Sequence, residues 1–406
     1  MKTDLLKKLG RINTVPAGWK LTTVGKVCKI RNDLRKPLST EERAKIQGSY
    51  PYYGPTGVLD FIDHHLVEGQ FALIGEDGDH FLKPEQKAQT LLVNGKFNVN
   101  NHAHLIQGTE KCSSEWFFLY FHHRDITHLI SRQGASRYKL NKDTLSKLPI
   151  LVPPLNQQLE IYKLFTTWDN AIEKTEALIA AKEKQFEWLT SNLINRAGHK
   201  RTAASGLMIE VSKRNKNSTI ERVLSVTNHS GFVLPEEQFE RRVASANVSN
   251  YKVVEQGQYA YNPSRINVGS IARLDDWENG ILSPMYVVFK LDTKKVCSDY
   301  FLHWLNSSEA RQRIKNSAQG SVRETVSFKD LGAIDIPLPA MDVQKDVTYK
   351  LNLAQKEISL LKNTLEQYRS QKRGLMQKLL TGEWQVGSSQ HLSEETCQEL
   401  SREGVA

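Results

Sequence analysis

An internal repeat is the feature that most constrains the fold, because two similar segments of one chain should adopt two similar structures. RQGASRYKLNKDTLSKLPILVPPLNQQ begins at Arg132, and AQGSVRETVSFKDLGAIDIPLPAMDVQ begins at Ala318. Aligned without a gap, the two stretches keep one offset of 186 residues (319 minus 133) through a turn, a strand and a pair of prolines. The matched positions include Gln133 with Gln319, Pro153 with Pro339, and Gln158 with Gln344. The chain therefore contains a duplication.

Each copy continues into a heptad pattern with alternating steps of four and three residues. The seam positions are Ile172, Thr175, Ile179, Lys182, Phe186, Leu189 and Leu193 in the first copy, and Ala354, Ile358, Leu361, Leu365, Tyr368, Lys372, Leu375 and Leu379 in the second. Such a pattern predicts a coiled coil. A single helix of this kind is typical of a protein surface, whereas two matching seams favour helices that pack on each other. Lys182 and Lys372 either set register and orientation or extend to the seam's edge.

Chain length and charge narrow the class of protein. A chain of 406 residues suggests two or three domains. Of these residues, 25% are charged and 39% are hydrophobic, a composition that suits small domains joined by exposed helices. No apolar run is long enough to cross a bilayer, and the first residues lack a signal peptide's apolar core. We therefore expect a soluble, cytoplasmic protein with no membrane partner. The formal charge of +10 favours a polyanionic partner.

The four cysteines, Cys28, Cys112, Cys297 and Cys397, lie far apart in the sequence. They form no CxxC pair, so they predict neither a disulfide framework nor a thiolate zinc site.

The patterns follow the order globule, helix, globule, helix. Gly257-Gln258-Tyr259-Ala260 in the second globule match Gly69-Gln70-Phe71-Ala72 in the first. SPMYVVFKL, from Ser283, takes the place of the alternating strand pattern KFNVNNHAHLIQ, from Lys96. The turns and helices match closely, whereas the interiors of the globules differ in loop length and composition. This contrast predicts a duplicated scaffold that carries two different recognition surfaces.

The sequence offers little catalytic chemistry. It has no GxxxxGK[ST] phosphate loop, and Asn262-Pro263-Ser264-Arg265 lacks the second proline and the aromatic residue of an adenine methyltransferase box. Glu85-Gln86-Lys87, with an aspartate upstream, fits the loose spacing of a metal-dependent nuclease, but such triads recur by chance. Histidines such as His102 and His104 lack converging carboxylates, so we interpret them as surface, packing or nucleic-acid-facing residues. We expect a binding protein without catalytic residues, metal or cofactor.

The turn before each repeated strand is the predicted DNA contact. Arginine and lysine neutralise phosphates, glycine lets backbone N–H groups approach them, and glutamine or arginine can donate to base edges. The candidates are Arg132, Gln133, Ser136, Arg137, Tyr138 and Lys139 in the first copy, and Gln319, Ser321 and Arg323 in the second. Further candidates are Tyr52, Asp77, His80 and Lys83 in the first globule, and Asn250, Tyr251, Ser264, Arg265 and Asn267 in the second. One such turn is explained by solvation alone, but its recurrence in both copies favours DNA.

From VPAGW to LLTGEW, the chain resembles the specificity subunit of type I restriction–modification enzymes, HsdS. The resemblance rests on the doubled QG turn, on LPILVPPLNQQ and AIDIPLPAMDVQ, and on the helix endings SNLINRAG and MQKLLTGEW. It implies an α+β fold, in which two long conserved helices form an antiparallel coiled coil between two mixed α/β target recognition domains, with an internal pseudo-twofold repeat. The implied parts are recognition domains at 1–152 and 199–338, spacer helices at 153–198 and 339–384, and a flexible tail at 385–406.

The resemblance also implies a function without catalysis by the chain itself. Each recognition domain would read one half of an asymmetric bipartite DNA site, and the helices would set the gap between the halves. The implied partners are double-stranded DNA, two methyltransferase subunits and, in the full complex, two restriction (translocase) subunits. The basic connector at 198–218 departs from the family pattern, because it contains little of the usual domain opening.

Two other classes of function stay open at this point. A coiled-coil scaffold whose globules bind proteins would carry its basic charge incidentally. A stand-alone nuclease would use Glu85 and Lys87. DNA affinity that falls steeply with salt, together with sequence preference, favours the DNA reader. Metal-dependent cleavage that is lost in Glu85→Ala would favour the nuclease.

Overall fold

The computed structural model describes residues 14–82, 87–133, 137–234, 248–318 and 325–386. In chain order, its helices are α1 (Val24–Val27), α2 (Thr40–Lys45), α3 (Ser114–His122), α4 (Lys142–Lys147), α5 (Leu155–Thr190), α6 (Ser298–Leu305), α7 (Ser308–Ala318), α8 (Phe328–Gly332) and α9 (Met341–Leu380). Its strands are β1 (Lys20–Thr23), β2 (Lys29–Ile30), β3 (Gln47–Tyr53), β4 (Val58–Ile62), β5 (Val67–Glu68), β6 (Phe71–Gly75), β7 (Asp77–Gly78), β8 (Thr90–Val93), β9 (Lys96–Val99), β10 (Ala103–Gln107), β11 (Ser131–Gln133), β12 (Arg137–Lys139), β13 (Pro149–Val152), β14 (Arg201–Ala203), β15 (Met208–Glu210), β16 (Ser225–Thr227), β17 (Gly231–Val233), β18 (Lys252–Glu255), β19 (Tyr259–Tyr261), β20 (Ile271–Arg273), β21 (Asn279–Leu282), β22 (Val287–Leu291) and β23 (Asp335–Pro337). None of the helices in these ranges is long and apolar enough to cross a membrane.

The chain divides into two compact units, and the division falls inside both long helices. Unit 1 contains the chain up to Lys174 and from Leu365 onward, and unit 2 is Thr175–Thr364. Each unit therefore combines one globular part with one end of α5 and one end of α9.

A four-stranded antiparallel sheet in the order β2-β10-β6-β8 forms the centre of unit 1. Helix α3 packs on this sheet, because Trp116 and Phe117 share a core with Ala72 and Ile106. A second four-stranded sheet, β4-β3-β9-β5, packs against the central sheet through a core that joins Phe97 with Leu73 and Leu105. Two smaller sheets, β11-β12-β7 and β1-β13, complete the unit.

Unit 2 repeats the central sheet of unit 1 in the order β15-β22-β19-β20. Ala260 pairs with Val288, as Ala72 pairs with Ile106 in unit 1. The strands that begin at Phe71 and Tyr259 occupy the same place, which confirms that match. β22 takes the place of β10 alone, because β9, the first part of the stretch Lys96–Gln107, lies in another sheet.

The basic connector after the first long helix contains the opening strand of unit 2. β14 pairs antiparallel with β23, with Thr202 opposite Ile336, just as β1 pairs with β13, with Thr22 opposite Ile150. Residues 198–218 show little of the usual domain opening in their sequence, but they contain the opening strand in the structure. Residues 201–203 are the structural counterpart of the first opening strand.

The long helices pack on each other through the predicted seams. Every seam position is buried or half-buried, whereas a residue between them such as Glu173 is exposed. In unit 1, Phe165 lies in the same core as Leu379, and the rings of Trp168 and Tyr368 meet edge to face with centroids 5.7 Å apart. Residue numbers thus rise along α5 as they fall along α9, which confirms the antiparallel pair.

Both lysines in the seams form ion pairs with the opposite helix. Lys182 of α5 lies 2.8 Å from a carboxylate oxygen of Glu357, and Lys372 of α9 pairs with Asp169 of α5. An ion pair between two helices is formed in only one alignment of those helices. These contacts therefore favour the register-setting interpretation of the two lysines.

A buried glutamine fixes the start of each long helix to its globular part. The Gln158 amide nitrogen donates to the carbonyl oxygens of Pro153 (2.8 Å) and Lys111 (3.0 Å), and its oxygen accepts from the Ser113 N–H (2.9 Å). Gln344, at the equivalent position, makes the same three contacts with Pro339 (2.8 Å), Lys295 (3.2 Å) and Cys297 (2.8 Å). Both side chains are almost fully buried, so each amide ties a helix to the loop before α3 or α6.

Gln344→Ala is expected to lower the free energy of unfolding by about 2–4 kcal/mol, because three buried polar partners lose their hydrogen bonds. Urea denaturation, followed by helical circular dichroism, measures the change. Gln371→Ala removes the same side chain from an exposed position of α9, so its effect should stay within about 0.5 kcal/mol. Equal losses in the two variants would contradict the proposed anchoring role.

Candidate nucleic-acid interface

The three-stranded sheet β11-β12-β7 brings together two groups of predicted contact residues in unit 1. Tyr138 pairs with Gly78, and Lys139 pairs with Asp77. Arg132 lies directly opposite Tyr138, so these two side chains share one face of the sheet, while Lys139 and Asp77 share the other. Arg132 is exposed, and Tyr138 and Lys139 are half-buried. Strand β7, which follows β6, and the two strands that flank the QG turn thus belong to one small sheet.

The Asp77 carboxylate is held in place by a neighbouring histidine. Nδ1 of His102 lies 3.0 Å from the Asp77 carboxylate. A fixed carboxylate repels phosphates but accepts hydrogen bonds from the amino groups of cytosine or adenine. Asp77 is therefore suited to base contacts rather than to backbone contacts.

Two of the candidates, Tyr52 and His80, belong to the core instead of the surface. Tyr52 is fully buried, and its hydroxyl group donates to the Lys36 carbonyl (2.7 Å) and accepts from the Leu38 N–H (2.9 Å). His80 is 1% exposed, and burial lowers the pKa of its imidazole. A Cβ atom at Gly75 would lie 2.3 Å from that ring. Neither side chain can reach DNA in this fold, and we remove both from the contact set.

His104 is also a core histidine. It is 1% exposed, its Nε2 lies 2.6 Å from the Leu140 carbonyl, and its Nδ1 lies 2.8 Å from the Asn32 amide. Burial lowers the pKa of His104. Both ring nitrogens have protein partners, which confirms the packing interpretation for this residue.

In unit 2, three of the candidates lie in the loop between β19 and β20. Ser264 and Arg265 are exposed, and Asn267 is half-buried in the 3-10 turn Ile266–Val268. The Val326 N–H donates to the Pro263 carbonyl at 3.0 Å, so the chain after the second QG turn lies beside this loop. The loop is the counterpart of the Asp77 region, because each follows the matched central strand.

Asn250 and Tyr251 occupy a different part of unit 2, just before β18. The Asn250 carbonyl accepts from Arg214 (2.7 Å), and the Tyr251 carbonyl accepts from the Asn215 N–H (3.0 Å). Both contacts involve the backbone of the candidates. The side chains stay candidates on sequence grounds alone.

Several candidates fall outside the structural description. Lys83, Ser136, Gln319, Ser321 and Arg323 lie outside the described residues, as does Glu85 of the nuclease alternative. Gln133 and Arg137 are described by their backbones, which pair with each other across β11 and β12. Lys87, the other member of that alternative, forms an ion pair with Asp79 at 2.6 Å. Within the described ranges, no three His, Cys, Asp or Glu side chains are grouped as metal ligands.

Sequence reasoning missed one basic surface, the helix α7 of unit 2. Its exposed Arg311 and Lys315 are four residues apart, and this spacing places both on one face of a helix. The basic residues of the sequence RQRIK, at 311–315, already show this spacing. This helix has no counterpart among the residues of unit 1 that the structure describes, so comparison of the two copies did not reveal it.

Comparisons with known proteins agree with this architecture. Residues 16–182 match the family described as the type I restriction modification DNA specificity domain. A putative type I restriction enzyme specificity subunit of Haemophilus influenzae is 33% identical over 185 residues, which cover 44% of this chain and 46% of that relative. The match thus spans about half the length of the relative. The type I restriction enzyme MjaVIII specificity subunit of Methanocaldococcus jannaschii is 20% identical over 408 residues, 92% of this chain and 94% of the relative.

A solved structure shares the fold. The crystal structure of the type I restriction–modification S subunit from M. genitalium aligns with a TM-score of 0.58 at 14% identity, over 92% of this chain and 98% of that chain. The chain thus has the α+β fold of a type I S subunit over most of its length, and its first part matches the specificity domain. Residues 16–182 therefore belong to the type I restriction modification DNA specificity domain family.

Proposed function

We propose that this chain is the DNA-recognition subunit of a type I restriction–modification complex, in which each globular part reads one half of an asymmetric bipartite site. The observation that carries the proposal is the duplicated scaffold. The same order of central strands and the same buried glutamine recur in both units, while the loops around them differ. A scaffold of this kind suits a target with two unlike halves.

The two sets of candidate contacts differ in chemistry. Unit 1 offers charged groups, among them Arg132, Lys139 and Asp77, on a small sheet. Unit 2 offers Ser264, Arg265 and Asn267 on a loop. Arginine pairs best with guanine, asparagine with adenine, and a carboxylate with cytosine. Unlike donor and acceptor sets should therefore select unlike base sequences. Lys83, Ser136, Gln319, Ser321 and Arg323 lie outside the described residues and stay candidates on sequence grounds.

The boundaries of the proposed functional parts differ from those of the two structural units. The recognition domains are 1–152 and 199–338, and the spacer segments are 153–198 and 339–384. Residues 385–406 form a tail. In this proposal the helix pair acts as the spacer that fixes the gap between the half-sites, and each structural unit contains one recognition domain with its share of that spacer.

The proposed partners follow from the duplication. A pseudo-twofold arrangement offers two similar docking surfaces to two identical subunits, which here are two methyltransferase subunits. Two restriction (translocase) subunits join in the full complex. The chain itself performs no catalysis in this proposal, and it needs no cofactor. Its contribution is the choice of DNA sequence.

The expected result in cells is a methylation pattern that depends on this chain. Base-resolution methylation sequencing of otherwise identical strains with and without the chain should show one bipartite motif that disappears on deletion. The two halves of the motif should differ, because the two sets of contacts differ. Restoring the full chain on a plasmid should restore the motif. An unchanged set of methylated motifs after deletion would count against the proposal.

A protein-binding scaffold is the alternative from another class. It predicts weak DNA binding without sequence preference. The exposed basic side chain of Arg132, on the same sheet face as an aromatic residue, favours the DNA reader. Competition with unrelated duplex at several salt concentrations separates the two classes, since a sequence-specific reader retains its preference as the salt concentration rises.

A further inference from the structure

Unit 2 contains an open cleft between its recognition domain and the long helices. The cleft has a volume of about 700 Å³. One wall is the exposed face of α7, with Arg311, Gln312 and Lys315, and the other wall is formed by α5 residues that include Glu187. All of the residues that form it lie in unit 2.

The two walls differ in charge and hydrogen-bonding character. The α7 wall offers a guanidinium and an ammonium group, which are donors only. The opposite wall offers acceptors, among them Glu187 of α5 and the buried Oδ1 of Asn195 in the turn that follows α5. This Oδ1 has no hydrogen-bond partner within the described part of the chain. An anion is therefore attracted to the α7 side and repelled from the α5 side.

The two cations on α7 are not neutralised by the protein. Among the described residues, neither Arg311 nor Lys315 lies within 4.0 Å of a carboxylate oxygen, whereas Arg313 on the same helix pairs with Glu309 at 2.6 Å. Like charges four residues apart on one face of a helix destabilise it. An anion bound between Arg311 and Lys315 would remove this repulsion.

The cleft is continuous with the candidate DNA-reading loop. Asn267, which follows Ser264 and Arg265 in that loop, also lines the cleft beside α7. The first residue after α7 is Gln319 of the second QG turn. The unpaired cations thus lie on the same side of unit 2 as its candidate base contacts.

The described residues of unit 1 include no equivalent of this helix. The segment after α3 contains only the 3-10 turn Thr127–Leu129 before β11. Arg124, at the start of that segment, lies over the Tyr120 ring at 4.0 Å and donates to the Tyr120 carbonyl. The guanidinium group is therefore engaged by the protein itself, unlike that of Arg311.

We propose that Arg311 and Lys315 of α7 bind phosphodiester groups of the DNA backbone next to the half-site read by unit 2. This inference rests on the proposed DNA-reading function and adds to it. The two recognition domains then hold DNA unequally, because unit 2 has a phosphate-binding helix and unit 1 lacks it. The contacts carry no sequence information, since phosphates are common to all sequences.

The experiment measures the affinity of the full chain for a duplex that carries its selected site, across a series of salt concentrations. Each phosphate contact contributes about 0.9 to the slope of log affinity against log salt. Arg311→Gln and Lys315→Gln should each lower this slope by about one, and weaken binding to specific and unrelated duplexes by the same factor. Glu187→Gln, on the opposite wall, should strengthen binding to both.

Arg313→Gln is the matched control, because it removes the same charge from a residue of α7 that already pairs with Glu309. Its slope should equal that of the wild-type chain. Wild-type site selection with unchanged slopes in Arg311→Gln and Lys315→Gln would overturn this inference and leave the proposed function standing. A wild-type chain that selects no site would overturn both.

A free nucleotide also carries a phosphate group. A separate arm of the experiment distinguishes DNA from a free nucleotide as the source of the bound phosphate. AMP is added at matched ionic strength. If DNA occupies the cleft only through its backbone, AMP should release no more DNA than the same ionic strength of sodium chloride. Release of DNA by AMP from the wild-type chain, and not from the double variant, would assign the cleft to free nucleotides instead.

Discussion

Inserting one heptad into both long helices is expected to widen the gap between the two half-sites and to leave the bases of both half-sites unchanged. The insertions go directly before Lys182 in α5 and directly after Lys362 in α9. This choice preserves the ion pairs Lys182–Glu357 (2.8 Å) and Glu183–Lys362 (2.7 Å) on one side of the insertions, and Asp169–Lys372 on the other. A heptad also preserves the seam pattern.

The size of the shift follows from helix and DNA geometry. Seven residues add about 10 Å at 1.5 Å per residue. One base pair of DNA rises about 3.4 Å, so the gap should grow by at most about three base pairs. Both half-sites can keep facing the protein only if the DNA is twisted, and twisting costs energy. Smaller increases of the gap are therefore favoured. Selection of bound duplexes from a random pool, followed by sequencing, measures both the gap and the bases.

A heptad inserted into α5 alone is the control for this prediction. It places the seam residues of one helix out of register with the other over half of the pair, so it should reduce stability and binding without creating a new gap. Selected duplexes with altered bases and the original gap would contradict the proposal that the helices act as the spacer.

The long helices could be predicted from the sequence, because their signals are local and periodic. Heptad steps identify the seam without any knowledge of the rest of the fold, and the structure confirms its burial. The match of Gln158 with Gln344 was visible in the repeat. Its cause was not visible, since the amides reach loops such as Lys111–Ser113 that precede them by more than forty residues.

The opening strand of unit 2 could not be predicted, because its partner is distant in the sequence. β14 has three residues, Arg201–Ala203, and pairs with β23 at Asp335–Pro337. A short polar strand has no alternation that marks it as a strand. The same limit applies to Lys96–Gln107, which divides at residues 100–102 between two sheets as β9 and β10.

The candidate contacts were only partly predictable, since burial depends on tertiary packing. Tyr52 and His80 lie in segments rich in glycine and polar residues, which are typical of surface loops. The structure places both inside, with Gly75 leaving room for the imidazole ring. The pairing of Lys139 with Asp77 joins segments some sixty residues apart, and only strand pairing brings them together.

Replacing residues 19–150 by residues 199–336 of the same chain is expected to convert the asymmetric target into an inverted repeat of the half-site read by unit 2. The junctions are structurally equivalent. Gly18 and Gly198 both adopt a left-handed conformation (φ +77° and +72°), and Ile150 and Ile336 occupy the same strand register. The original first half-site should disappear from the selected duplexes.

The incoming domain also supplies the contacts that the remaining helices require. Trp116 donates to the Leu151 carbonyl at 2.8 Å, and Tyr300 of unit 2 donates to the equivalent Pro337 carbonyl at 3.0 Å. Trp19, which packs against Trp116 with ring centroids 5.5 Å apart, leaves together with it. The Gln158 amide should find the transplanted Lys295 carbonyl and Cys297 N–H, because Gln344 uses both in unit 2.

An Arg265→Ala substitution provides the internal check, since Arg265 is exposed on the candidate reading loop of unit 2. In the natural chain, it should relax preference or weaken binding at one half-site only. In the exchanged chain, the same change at both copies should affect both halves equally. Duplexes that keep the original first half-site, or that show two new and unlike halves, would mean that each domain does not read its own half independently. Selection of a symmetric target would show that the globular parts determine the base sequence of each half-site. The helix pair would then be a scaffold that both domains share.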